Sequence, residues 1–272
     1  MSDWLSITPG DAPLLLSMPH SGLDLGDLAP RLVSPWRARK DADWHLPQLY
    51  AFGEQLGATI VRTSLSRTVI DVNRDPSGRS LYPGRATTEL CPTTTFDGEP
   101  LYIEGQAPSA QEIAQRRRDY FDPYHAALRA QAERLLARHR CIVMYDCHSI
   151  RSSIPRLFEG QLPQFNIGTN DEAACDPRLS AAIVQACAES DFSHVLNGRF
   201  KGGYITRSFG NPARGLHAVQ MELACRGYLR EPSGSVTEAQ WPVAFDAAFA
   251  APLQAVLQRV LQRCIEFATR SS

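Results

Sequence analysis

The sequence predicts an α/β fold, a single domain built on a central mixed, largely parallel sheet flanked by helices. Three observations predict it. Strand-like apolar runs alternate with helix-like segments through much of the chain, the pattern of a sheet covered on both faces. The run Ile-Val-Met-Tyr-Asp-Cys-His-Ser-Ile, from Ile142 to Ile150, begins apolar and ends in Asp146, Cys147 and His148. That is a buried strand presenting chemistry at its carboxyl end, where open α/β sheets bind ligands. Finally, no internal repeat or low-complexity linker divides the 272 residues, enough chain to bury one sizeable core, so 1–272 is read as one domain.

In order, residues 13–18 form a short apolar strand that stops at Pro19-His20-Ser21-Gly22. Residues 30–40 are basic and loop-like. Apolar positions Leu46, Leu49, Tyr50 and Phe52 then predict a helix running to about Leu56, with Asp41 or Asp43 near its N-terminus, where carboxylates are favoured. Residues 58–63 and 67–72 read as two strands. Residues 77–107, rich in Gly, Pro and Thr without periodicity, read as a long loop of the active-site type. Ser109 and Glu112 form a capping-box pattern before a charged helix that bends at Asp122-Pro123 and continues to His139. Residues 164–169 are another strand, and Asp176-Pro177 opens a helix to about Glu189. Residues 202–207 read as a glycine-flanked strand and 217–222 as a further strand. The chain closes on a long apolar-rich helix over 241–269, interrupted at Pro252.

A hydrophobic content of 43% and a charged content of 21% are those of a globular protein. The formal net charge of -1 argues against a nucleic-acid binder. Seven cysteines without a Cys-x-x-Cys do not form a secreted disulfide framework. No secretory signal and no apolar run approaching the ~20 residues of a spanning helix are visible, so a cytoplasmic protein is expected. The expected partners are a small-molecule substrate and, in any homo-oligomer, further copies of the chain; neither nucleic acid nor a membrane is expected.

The candidate site residues are ones whose chemistry fits hydrolysis at a metal. His20 and His148 each follow or end a strand and are the natural imidazole ligands of a zinc site, which needs about three protein ligands and one open position. Asp43 is placed first as the acidic ligand, with Asp41 and Asp24 as alternatives. Asp146, two residues before His148, projects to the same side of the strand and suits a carboxylate that orients that imidazole. Cys147 points the other way and reads as a small buried residue. Glu222 is the lone acid in an otherwise apolar strand, a costly position that suits a general base. Arg67, Arg74 and Arg207 sit near strand ends, and their planar forks suit substrate carboxylates.

Taken together, the blocks Pro19-His20-Ser21-Gly22, Asp41-Ala42-Asp43-Trp44-His45, Ser66 to Arg74 (Ser-Arg-Thr-Val-Ile-Asp-Val-Asn-Arg), Asp146-Cys147-His148-Ser149, Lys201 to Arg207 (Lys-Gly-Gly-Tyr-Ile-Thr-Arg) and His217 to Glu222 (His-Ala-Val-Gln-Met-Glu) resemble the N-formylglutamate amidohydrolase family. Six blocks in the right order span almost the whole chain. The resemblance implies hydrolysis of N-formyl-L-glutamate to L-glutamate and formate, the last step of one histidine-degradation route. It also implies a zinc-carboxypeptidase-like, phosphorylase/hydrolase-like fold shared with aspartoacylase-type deacylases. It further implies one zinc ion on His20, Asp43 and His148, with Glu222 as base and Arg67 near the developing oxyanion. Asn73, Arg74, Thr206 and Arg207 would then be substrate-binding residues. Two positions depart from the pattern. Leu23 stands where the carboxypeptidase-type relatives place the acidic ligand, and Ser208-Phe209-Gly210 replaces an expected His-Tyr-Gly. Two other readings remain: a zinc deacylase or carboxypeptidase for another N-acyl amino acid or peptide, and a non-catalytic module that binds a small anion.

Overall fold

The computed structural model describes residues 4–79, 84 and 87–270. Seven strands form one sheet: β1 (Leu5–Thr8), β2 (Leu14–Met18), β3 (Thr59–Thr63), β4 (Ile142–Ile150), β5 (Phe165–Gly168), β6 (His194–Leu196) and β7 (Leu216–Ala224). Their order is β1-β3-β2-β4-β7-β5-β6. The central strands β3, β2, β4 and β7 run parallel, β1 and β5 are antiparallel to their inner neighbours, and β6 is parallel to β5. The helices are α1 (Pro35–Arg39), α2 (Leu46–Leu49), α3 (Ala110–Arg116), α4 (Asp122–Leu136), α5 (Pro177–Ala188), α6 (Tyr204–Phe209) and α7 (Ala247–Arg270). None among the described residues is long and apolar enough to cross a membrane.

Strand alternation decides which side chains reach which face. On β4, Val143, Tyr145 and Cys147 join the core beneath α5 and α7, together with Ile183 of α5 and Leu253, Leu257 and Leu261 of α7. Ile142 and Met144 face the opposite core, filled by Tyr124, Leu128 and Leu135 of α4 and by Ile205 and Phe209 of α6. Asp146 and His148 continue this second face at the carboxyl end of the strand. β7 repeats the arrangement, with Val219, Met221 and Leu223 in the first core and Ala218 in the second. Gln220 and Glu222 therefore emerge on the same face as Asp146 and His148.

Several expected elements form differently. The helix expected to reach Leu56 is only Leu46–Leu49, followed by a tight turn at Ala51–Gly53. His45 adopts a left-handed conformation at φ 62° and Asp43 N–H donates to His20 O, so the chain turns here instead of coiling. Residues 67–72 are turns and not a strand. Val69 N–H bonds to Ser66 O, Arg74 N–H to Asp71 O, and the Thr68 hydroxyl donates to Ala38 O, which uses groups that a ladder would need. Residues 202–207 form a glycine-led turn running into α6, because Asn73 supplies acceptors to the amides of Tyr204 and Ile205 at its start. Pro252 lies inside α7 without breaking it. The loss of one helical bond, about 3 kcal/mol, is offset by the long buried stripe of Leu253, Val256, Leu257, Val260, Leu261 and Cys264.

The Ser109 hydroxyl caps α3 by accepting from Glu112 N–H, but the Glu112 carboxylate turns to Arg31 and Arg116. The bend expected at Asp122-Pro123 is a wider turn at Arg117–Phe121 just before it, and Asp176 caps α5 as expected. Of the expected loop 77–107, residues 80–83, 85 and 86 lie outside those described. The rest is irregular apart from isolated bridges at Leu32–Tyr102 and Thr94–Pro100.

Candidate active site

The site is assembled at the carboxyl ends of β2, β4 and β7, with the turn after β3 closing one side. His20 follows β2, His148 lies near the end of β4 and Glu222 near the end of β7, and Asp43 arrives on the turn before α2. One ligand atom from each of His20, Asp43 and His148 lies within 4.8 Å of the others, and all three residues are buried. Of the three acids weighed for this place, only Asp43 is in that group. Asp41 accepts from Phe96 N–H and pairs with Arg151, whereas Asp24 is exposed and accepts from Gly26 N–H.

The hydrogen-bond roles at this cluster follow from what each partner can do. His20 Nε2 lies 2.7 Å from Asp71 Oδ1. A carboxylate only accepts, so Nε2 carries the proton and Nδ1 presents a lone pair. His148 has a carboxylate at each ring nitrogen, Asp146 Oδ2 2.9 Å from Nε2 and Asp43 Oδ2 3.1 Å from Nδ1, so both nitrogens donate. His20 Nδ1 and Asp43 Oδ1 are buried without a hydrogen-bond partner. Three electron-pair donors converge once His148 gives up its Nδ1 proton, the second proton of a positively charged ring. Burial opposes that charge on both rings, and it lowers the pKa of His20, helped by Arg67. At His148 the carboxylates of Asp146 and Asp43 outweigh burial and raise the pKa well above its ordinary value. A divalent cation would replace that proton, so the donor set fits a metal.

Around the cluster lies a cleft enclosing about 620 Å³, part of it open to solvent. His20, His148, Glu222, Gln220, Asn73, Arg67, Arg74 and Arg199 are among its lining residues, with Phe96, Leu157 and Phe200 as apolar wall. Burial pushes the Glu222 carboxyl up to about 8, against the opposing field of the neighbouring His148. A group titrating near neutrality is suited to accept and return a proton. Arg67 packs with its guanidinium carbon 4.7 Å from the Phe96 ring centroid, and its Nη2 bonds Asp71 Oδ2 at 2.5 Å.

Asp71 is the residue that reasoning from sequence left without a role. It accepts from His20, Arg67 and the Asn73 amide and lies 3.3 Å from Arg74 Nε. Burial would raise its pKa, but His20, Arg67 and Arg74 together hold it well below the usual carboxylate range. Its signal was its place in the block that also contains Arg67, Asn73 and Arg74, but a strand reading pointed its side chain nowhere in particular. Asn73 uses both ends of its amide within the protein: Nδ2 donates to Asp146 Oδ2 at 3.1 Å and Oδ1 accepts from Ile205 N–H. Thr206 is fully buried and Arg207 folds back, its Nε donating to Gly202 O; neither is among the cleft-lining residues. Arg199 is, with its Nε donating to Leu157 O.

A sequence model of the N-formylglutamate amidohydrolase family matches residues 12–229. The chain is 50% identical over 233 residues to an N-formylglutamate deformylase of Pseudomonas putida, covering 85% of this chain and 87% of the relative. It is 48% identical to one of Pseudomonas aeruginosa, with the same coverage. The fold is similar to the crystal structure of an N-formylglutamate amidohydrolase from Ralstonia eutropha, with a TM-score of 0.76 at 24% identity over 99% of both chains. On the match over residues 12–229 and the 50% identity, the chain belongs to the N-formylglutamate amidohydrolase family.

Proposed function

We propose that this protein is a zinc-dependent N-formylglutamate deformylase that releases L-glutamate and formate as a step of histidine degradation. The observation that carries the metal is the convergence of one ligand atom each from the buried His20, Asp43 and His148 beside Glu222, with His20 Nδ1 and Asp43 Oδ1 lacking any hydrogen-bond partner. The names of the relatives support the substrate. Zinc held by His20, Asp43 and His148 would supply Lewis-acid activation of the attacking water and of the formyl carbonyl.

The chain's own residues do the rest. Glu222 takes a proton from water as its oxygen attacks the formyl carbon, then returns it to the leaving nitrogen as the C–N bond breaks. Arg67, held by Asp71 and Phe96, faces the developing oxyanion, where one well-placed donor contributes ~3 kcal/mol. Arg74 and Arg199, on the cleft wall, receive the two carboxylates of the substrate. Asn73 fixes the metal-binding end of the cleft through Asp146 and His148.

Formate release from N-formyl-L-glutamate, measured against the N-acetyl and N-succinyl analogues, tests the substrate. Metal analysis and chelator treatment test the cofactor, with about one zinc per chain and loss of turnover on chelation expected. Turnover confined to another acyl group, or full activity in metal-free protein, overturns the corresponding half of the reading.

A further inference from the structure

We propose that Gln220 is the positioning residue for the base Glu222, fixing its carboxylate toward the cleft through a side-chain amide whose orientation is set by a backbone N–H. The inference rests on the reading of Glu222 as base. Gln220 is buried, lines the cleft and stands two residues before Glu222 on the same face of β7. Its Oε1 accepts from Gly203 N–H at 2.6 Å, and its Nε2 lies 3.2 Å from Glu222 Oε2.

The backbone of Gly203 decides which way the amide points. An N–H can only donate, so the oxygen end of Gln220 must face Gly203 and the NH2 end must face Glu222. The side chain therefore presents a donor to the carboxylate, the polarity that favours its ionised form and holds one rotamer. Gly203 is itself held by Asn73: Tyr204 N–H bonds Asn73 O and Ile205 N–H bonds Asn73 Oδ1. Asn73 Nδ2 in turn reaches Asp146, which orients His148. Base and metal ligand are thus tied to one polar frame, and Gln220 is the link on the side of the base.

Two variants separate positioning from simple support of the Gly203 turn. Gln220→Glu keeps an acceptor for Gly203 N–H and nearly the same volume but replaces the neutral amide donor with a second carboxyl, which meets Glu222 as a like charge or through a shared proton. Gln220→Met removes both ends without adding charge. Formate release from N-formyl-L-glutamate, zinc content and thermal midpoint are measured for both, beside wild type and Glu222→Gln. The proposal expects kcat to fall about 10- to 100-fold in both Gln220 variants, the effect of losing a hydrogen bond to a charged group. KM should stay within about twofold and zinc content should be unchanged. Wild-type kcat in Gln220→Glu, with loss confined to Gln220→Met and accompanied by a lower thermal midpoint, overturns it in favour of a structural role. A wild-type protein that releases no formate overturns the functional reading and this inference with it. An active wild type with an equally active Glu222→Gln overturns the base assignment.

Discussion

His148 and Glu222 are register partners across the parallel pair β4 and β7. The proposed ligand and the proposed base are therefore set side by side by the sheet, at a backbone spacing of about 4.8 Å. A one-residue slip of either strand would turn its polar residues into the core beneath α5 and α7 and its apolar ones into the cleft. The burial of both strands thus fixes the geometry of the site.

Glu222→Gln keeps the shape and a hydrogen-bonding side chain but cannot take a proton. It should retain zinc and lose about 10²- to 10⁴-fold in kcat, the range for general-base catalysis. Formate assay and metal analysis on the same preparation check this, and near-normal turnover would move the base elsewhere.

Asp43→Ala should abolish stoichiometric zinc, whereas Asp41→Asn should retain it, because Asp41 serves Arg151 and the Phe96 amide instead. Added zinc at ~100 times its dissociation constant should stabilise wild type by about 2.7 kcal/mol and leave Asp43→Ala unmoved. Thermal shift with and without zinc reads the difference.

His125 is buried, its Nε2 2.8 Å from Val72 O, and its ring stacks on Phe121. Burial lowers its pKa to about 4, below the ~6.5 of an unfolded chain. The unfolded state therefore binds the proton first, so this contribution to stability is present above about pH 6.5 and is lost as pH falls toward 4. Between pH 7 and 5 wild type should lose about 2 kcal/mol more than His125→Gln, measured by urea denaturation. Equal losses in the two proteins would remove His125 as the source.

Gly203→Ala tests the polar frame by steric means. A Cβ there would stand 2.4 Å from Asn73 Nδ2, so Asn73 must move and with it the support of Asp146. A loss of about 1–3 kcal/mol in stability is expected from such overpacking, with weaker zinc binding. Unchanged zinc affinity would show that the Asn73 link to His148 is dispensable.

Much of the site was legible because polar residues interrupt apolar runs. His148, Asp146 and Glu222 stand out in strands that are otherwise buried, where an acid or imidazole requires a partner. Asp43 was less legible, since Asp41 and Asp24 have the same chemistry and only the turn that bonds Asp43 N–H to His20 O brings one of them to the cluster. Asp71, Gln220 and Arg199 were not assigned at all. Each is placed by a partner distant in sequence, His20 for Asp71, Gly203 for Gln220 and Leu157 for Arg199, and residues 67–72 and 202–207 carry strand-like composition that tertiary hydrogen bonds override.

By itself the sequence determined the α/β class, the central strands and the pair of histidines with a late glutamate, because side-chain period and composition are local properties of a buried strand. The tertiary structure alone decided which acid completes the cluster, which arginines face the cleft and which end of the Gln220 amide meets the base. Those choices depend on hydrogen-bond partners delivered by other segments, and no local pattern encodes which partner arrives.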